Sequence, residues 1–430
     1  MGRAADPAPR LSQRALNRAT LDRQLLLRRH PLPARQAVRH LAGLQAQAPL
    51  APHLGLWTRL SGFTPDDLSA LLTERKVVRA PIMRATVHAV DAADFVAFRA
   101  LFSPLMEAGL RANYARNLTG VDLDTLTQQA GELLAERPLT RAQLAKALAA
   151  CWPAADPLSL AYAVTYLVPV VQVPPRGLWG KSAQATWTTA ASWLSDPGEP
   201  PAANAVEELV VRYLAAFGPA TVADAQIWSG LTRLREITDR LDLLTYRGPD
   251  GAELLDLPGI TLPDEDTPAP PRFLPEYDNL LLSHADRRRV NPDNRQVPLW
   301  PGNGATQGTL LVDGLWTATW QITPEALTIT PFRPLTAVEE SAVTEEAAAL
   351  LAFTARDART KDIRFTPTRL TLGAIGSSCR ASRPFRSWHQ PGFRASCTKL
   401  RLPRPTRRVT VPSTSPGVSL GRGNGARPRS

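Results

Sequence analysis

Apolar residues recur at helical spacing in three successive stretches of this chain, and each stretch closes on a shorter alternating one. Leu11, Ala15, Leu21, Leu25 and Leu26 predict a helix over residues 12–29, ended by Pro31. Ala37, Leu41 and Leu44 predict a second over 33–47, with Pro33 tolerated in its first turn. Pro49 disfavours helix at Ala48. Thr64 suits the N-cap of a third helix over 65–75. Residues 77–78 and 85–90 read as strands, the second through Thr86-Val-His-Ala-Val90. Three helices and then a two-stranded ribbon is the order of a winged helix.

The order returns twice. Leu123, Leu126, Ala130, Leu133 and Leu134 form one stripe, closed by Pro138. Thr140 caps a helix carrying Leu144, Ala147 and Leu148, and another helix follows over 157–167. Strands over 171–173 and 185–189 then flank Gly177-Leu-Trp-Gly-Lys181. Farther on, Val206, Leu209, Val210, Tyr213, Leu214 and Phe217 sit on one helical face, stopped by Gly218-Pro219. Thr221 caps a helix over 222–228, and a third is expected over 231–241. Strands over 243–246 and 253–257 flank a Gly248-Pro-Asp-Gly251 turn. Pro138-Leu-Thr140 and Pro219-Ala-Thr221 make the same joint between helices, a weak internal repeat.

Residues 258–272 are rich in proline and acid and read as a linker. Beyond them lie strands over 308–322 and 327–331, a helix over 337–353 and a last strand over 361–366. The expected fold is α+β and mostly helical. Tandem winged helix-turn-helix units occupy 11–120, 121–200 and 201–262. A small β-rich C-terminal domain over 263–368 and a disordered basic tail over 369–430 complete it.

Charge alters this picture at one end. The 430 residues include 50 Lys and Arg against 39 Asp and Glu, a net +11 that by itself points to nucleic acid. Residues 370–430 hold 12 of those bases and no acid. The first 369 residues hold 38 bases and 39 acids. Any DNA surface on the body must therefore come from segregation of charge, not from excess. The tail is rich in Arg, Ser, Pro and Gly and shows no periodicity. It reads as a solvated basic arm or, the preferred reading, as the product of a shifted reading frame in GC-rich DNA.

Three cysteines, Cys151, Cys379 and Cys397, exclude a disulfide scaffold and a cysteine zinc site. The six histidines have no metal-ligand spacing, and no metal or cofactor is expected. Residues 1–10 lack the apolar core of a secretory signal, and no apolar run is long enough to span a bilayer. The expectation is a cytoplasmic, nucleoid-associated monomer without a membrane partner. Phosphate loops, HExxH and GxSxG are absent, so the residues alone do not mark an enzyme. They leave a winged-helix DNA-binding regulator open.

Leu44-Gln45-Ala46-Gln47-Ala48-Pro49 carries more. It resembles the Gln-apolar-Gln motif of the AlkZ-like winged-helix DNA glycosylases. Gly55-Leu-Trp57, Arg79-Ala-Pro-Ile-Met-Arg84-Ala-Thr-Val-His88, Phe273-Leu-Pro-Glu-Tyr-Asp-Asn279 and Leu282-Ser-His-Ala-Asp-Arg287 resemble that family in the same order. The resemblance covers residues 11–368 and stops where the tail begins. A sister, YcaQ-like branch has Asp where this chain has Gln47.

The resemblance implies tandem winged helices around a concave, positively lined surface for double-stranded DNA. It implies hydrolysis of the N-glycosidic bond of alkylated purines, in some members extending to bulky adducts or interstrand crosslinks. It assigns Gln45 and Gln47 as catalytic. A purine alkylated at N7 or N3 is cationic and already a good leaving group. A neutral amide that orients water and faces the oxocarbenium-like sugar is then enough. On a regular helix residues i and i+2 lie about 200° apart, so an extended Gln45–Gln47 segment is required for both to face one target.

Arg84, His88, Lys181, Arg287, Arg288 and Arg289 are candidate DNA contacts. Arg84 and His88 would line the pocket. Lys181 would sit on a wing, and Arg287–Arg289 would form a backbone clamp. Solvated charge or a strand Arg–carboxylate pair are the bland alternatives. Trp57 and Trp179 are candidate base wedges against burial in the core.

Overall fold

The computed structural model describes residues 8–194, 202–297, 307–354 and 362–367, and the backbone of 407–409. Its architecture is α+β.

The first helix, Gln13–Arg23, is capped by the Ser12 side chain, which accepts from the Ala15 amide. It ends earlier than the leucine spacing predicts, because Leu25 turns to a φ of 58°. The second helix is shorter still. It runs Ala34–His40, and Ala42 (φ 52°) and Gly43 (φ 93°) then reverse the chain. Leu44–Gln45 leaves the reversal as a strand, not as the continued helix expected. A helix at Ala51–Trp57 was not foreseen. Pro65–Thr73 follows, with Thr64 and Asp67 in a reciprocal capping box.

Strands Val77–Pro81 and Val87–Asp91 pair antiparallel, and Leu44–Gln45 adds to the outer side of the second. On the other side Val77–Pro81 meets Val170–Gln172, with Arg79 opposite Gln172. Thr186–Thr189 and Leu139–Thr140 complete the sheet. The ribbons expected as two separate wings thus form one six-stranded sheet that crosses the expected boundary at residue 120. Helices Ala92–Phe98 and Ser103–Tyr114 fill the interval between them.

Helices Leu123–Glu136, Arg141–Ala149 and Pro157–Leu167 lie where the apolar stripes put them. So do Ala205–Phe217 and Val222–Ser229. The helix expected over 231–241 shrinks to Arg235–Thr238, since Gly230 (φ 80°) and Arg233 (φ 61°) both leave the helical region. Leu244–Arg247 and Glu253–Asp256 form the expected hairpin.

Arg272–Leu274, Gly308–Val312, Leu315–Ile322, Ala326–Pro331 and Asp362–Phe365 build a second sheet. Helix Ala337–Thr354 packs Val343, Ala347 and Leu350 against it. The expected linker is tied down: Arg18 Nε donates to the Thr267 carbonyl at 2.6 Å, and Ser12 bonds Glu265. Of the expected tail, Arg407–Val409 pairs antiparallel with Asp362–Phe365 and edges this sheet. The rest of the tail lies outside the described residues. Among the described residues no helix is long and apolar enough to cross a membrane.

Arginines join the parts from inside. Arg23 forks onto Asp256 at 2.7 Å twice, binding the first helix to the hairpin. Arg59 forks onto Asp278 at 2.9 Å twice, binding the end of helix Ala51–Trp57 to the segment after Arg272–Leu274. Both pairs are buried, so their planar forks serve as internal ties and not as a cationic surface.

Candidate active site

The two glutamines sit where the extended chain puts them on one side. Leu44 and Ala46 point into the core, so the alternation of a strand turns Gln45 and Gln47 the other way. The Ala46 amide donates to the Val87 carbonyl at 2.7 Å, which carries the extended pairing one residue past the strand. Gln45 is 7% exposed and Gln47 half-buried. The backbone condition set by the i, i+2 spacing is met by the early end of helix Ala34–His40.

Arg79 holds this segment from below. It is buried and donates to the Ala46 and Pro49 carbonyls, each at 3.0 Å, and to Gln172 Oε1 at 3.1 Å. Burial, with Arg176 nearby, pushes its guanidinium down to about 9, so it stays charged at neutral pH. Gly177 makes room for it: a Cβ there would come within 2.6 Å of Arg79 Cδ, at a φ of +91°.

Arg84 closes the site from above. It lies in the turn Met83–Ala85 between the two strands, at a φ of 54° that costs a residue with a Cβ about 1 kcal/mol or more. Its Nη2 donates to Gln45 Oε1 at 2.8 Å and to Asn279 Oδ1 at 3.0 Å. Its Nη1 donates to the Trp228 carbonyl at 2.7 Å, at the end of helix Val222–Ser229. No carboxylate bonds it among the described residues. Burial first, then Arg287, pushes it down to about 10.

His88 lies beneath, fully buried, with Nε2 at 3.3 Å from Arg84 Nη2 and Nδ1 at 3.0 Å from the Thr86 carbonyl. Arginine only donates, so His88 Nε2 must accept and Nδ1 must carry the proton. Burial and the Arg84 charge push this histidine down to about 3. It is a neutral member of the network, and its burial removes it from the candidate DNA contacts. Asn279 completes the ring by donating to the Gly43 carbonyl at 3.1 Å, on the reversal that precedes the glutamines.

The other candidates separate. Arg287 is half-buried, close enough to Arg84 to depress it, and has no ion pair or side-chain hydrogen bond among the described residues. Lys181 is exposed on the loop between Val170–Gln172 and Thr186–Thr189. Arg288 is spent on Asp286 at 2.6 Å and Asp250 at 3.2 Å. Arg289 is 4% exposed and donates inward to Thr20 Oγ1 and the Pro219 carbonyl, so it cannot clamp a DNA backbone. Trp57 and Trp179 are buried against Phe353, at ring separations of 5.5 and 5.2 Å, and are not wedges. Arg79 and Asn279 were not singled out from the sequence as site residues. The signal was present, since both stand inside the segments that resemble the glycosylase family.

What results is a pair of neutral amides, one gripped by a cation, with neither bonded to a carboxylate among the described residues. Such a site can orient water and donate or accept hydrogen bonds. The fold around it is that of a solved DNA glycosylase. The chain is similar to Streptomyces sahachiroi DNA glycosylase AlkZ, with a TM-score of 0.65 and 20% identity over 83% of this chain and all of that one. Among curated proteins none matches. A family model described as DNA glycosylase AlkZ-like matches residues 38–353, and the chain belongs to the AlkZ-like DNA glycosylase family.

Proposed function

We propose that the protein hydrolyses the N-glycosidic bond of purines alkylated at N7 or N3 in double-stranded DNA, with Gln45 and Gln47 as its catalytic residues. The observation that carries this is the pair of amides on extended backbone, with no carboxylate bonded to them among the described residues. An alkylated purine departs with the C1′–N9 electron pair and becomes neutral, so it needs no general acid. A water oriented by an amide oxygen bonds to C1′ and releases its proton to solvent. Unmodified purines lack that driving force and are spared.

An open site read on the duplex surface would suit bulky adducts and crosslinked bases that cannot swing into a deep pocket. Tandem winged helices would frame that surface, with Arg287 and Lys181 contacting phosphates. The protein would act as a monomer in repair or self-resistance.

The test is release of free base from a methylated duplex. Wild-type protein should release it. Gln47→Ala should lose release by about 100-fold while keeping its DNA affinity. If no methylated, adducted or crosslinked duplex yields free base, the assignment is wrong and a DNA-binding regulator replaces it.

A further inference from the structure

We propose that Arg84 is a positioning residue that locks the Gln45 amide with its oxygen turned inward, so that Gln45 presents its NH2 to the leaving purine as a hydrogen-bond donor. This deepens the glycosylase reading and rests on it. Because a guanidinium has donors only, the atom of Gln45 at 2.8 Å from Arg84 Nη2 must be the oxygen. The bond is charge-assisted and half-buried, hence strong. The NH2 at the other end of the amide has no acceptor among the described residues, and Gln45 keeps 7% of its surface exposed.

Gln47 is held differently. Among the described residues its oxygen accepts only from the Val87 amide, at 3.4 Å, the edge of a hydrogen bond. The two glutamines are therefore not equivalent. Gln45 is a fixed donor, and Gln47 keeps an oxygen free enough to take a water. A donor suits the leaving base, whose ring nitrogens and O6 gain electron density as the C1′–N9 pair collapses onto it.

Arg84 itself is anchored on three sides besides Gln45. Asn279 Oδ1, the Trp228 carbonyl and His88 Nε2 share its donors. They come from three separate segments of the chain, and all are neutral. A charged acceptor would draw the guanidinium away from Gln45, so neutral partners keep the lock set on the amide. The guanidinium turns these bonds inward, which sets it apart from a phosphate contact.

The experiment is single-turnover base release from a methylated duplex, with binding measured in parallel. Gln45→Glu keeps both oxygens for Arg84 and removes the donor. It should cost about 100-fold or more in rate, whereas Gln47→Glu should retain activity. A Gln45→Glu variant as active as wild type would overturn the donor role. Arg84→Met should lower the rate with DNA affinity unchanged, and combined with Gln45→Ala it should be no slower than Gln45→Ala alone. Lost affinity and a reduced salt dependence at unchanged rate would instead make Arg84 a phosphate contact. Where Arg84→Met is unstable, Arg84→Lys substitutes, since an ammonium cannot span all four acceptors.

The lock has a readout that needs no substrate. The Gln45 side-chain NH2 should be rigid by NMR relaxation in wild-type protein and mobile in Arg84→Lys. A mobile wild-type amide overturns the proposal whatever the fate of the glycosylase assignment. A rigid amide in a protein that releases no base leaves the lock standing and removes only its purpose.

Discussion

The guanidinium of Arg79 donates to the carbonyl oxygen of Ala46, the residue between the two glutamines, across 3.0 Å. The segment that carries the two glutamines is thus held through its backbone, by a side chain that bonds neither amide. Removing the fork should leave the Ala46 and Pro49 carbonyls without their donor. We expect Arg79→Met to cost about 2–4 kcal/mol in urea unfolding. Gly177→Ala, which drives a methyl into the same guanidinium, should lower stability in the same direction.

The three consecutive arginines should behave as three different residues. Arg287→Ala should weaken DNA binding and reduce the slope of log affinity against log salt by about 1. Arg288→Ala should leave binding and stability unchanged, since Asp286 and Asp250 already neutralise it. Arg289→Ala should lower stability by about 3 kcal/mol, because Asp224 would be left buried near an empty site. Fluorescence anisotropy across a salt series, with melting curves, separates the three.

Acid should destabilise the protein through its buried histidines. Burial holds folded His88 down to about 3, whereas an unfolded histidine takes its proton near 6.5. Between those values the unfolded chain binds the extra proton, so stability present above pH 6.5 is lost as pH falls toward 3. Each such histidine contributes a slope of about 1.4 kcal/mol per pH unit, and His284, pushed down by burial and Arg289, acts in the same direction. Unfolding midpoints at pH 7.5 and pH 5 should differ accordingly, and His88→Gln should flatten the dependence by one proton.

A chain ending at Thr368 should release base at the wild-type rate. Arg407–Val409 pairs with Asp362–Phe365 and stands at the opposite end of the sheet from Arg272–Leu274, which leads into Asn279. Slower release by the shortened chain would show that the tail takes part in the reaction.

Much of this was legible before any coordinates. Stripes such as Val206–Phe217 gave helices because burial of one face leaves a period that survives in the residues. Gln45 and Gln47 were found through a family resemblance, and Pro49 hinted that the helix must fail there. The place where it fails was not legible. Ala42 and Gly43 reverse the chain five residues earlier than the apolar spacing of Leu41 and Leu44 implies. That spacing fits a strand pointing into the same core equally well. The arginines misled for a related reason. A charge written in the sequence does not say whether it faces water or an aspartate brought from far along the chain, as Arg59 and Asp278 show.

The seam between Val77–Pro81 and Val170–Gln172 has a consequence for inheritance. Arg79 comes from one side of it, and Gln172 and Gly177 come from the other. A larger residue at 177 displaces the guanidinium, and a changed guanidinium strands Gln172 and the backbone under the glutamines. Drift at any one of the three positions is penalised unless the others move with it. They form a single heritable unit written in two distant parts of the gene, and their joint variation across relatives should follow the glutamine motif they support.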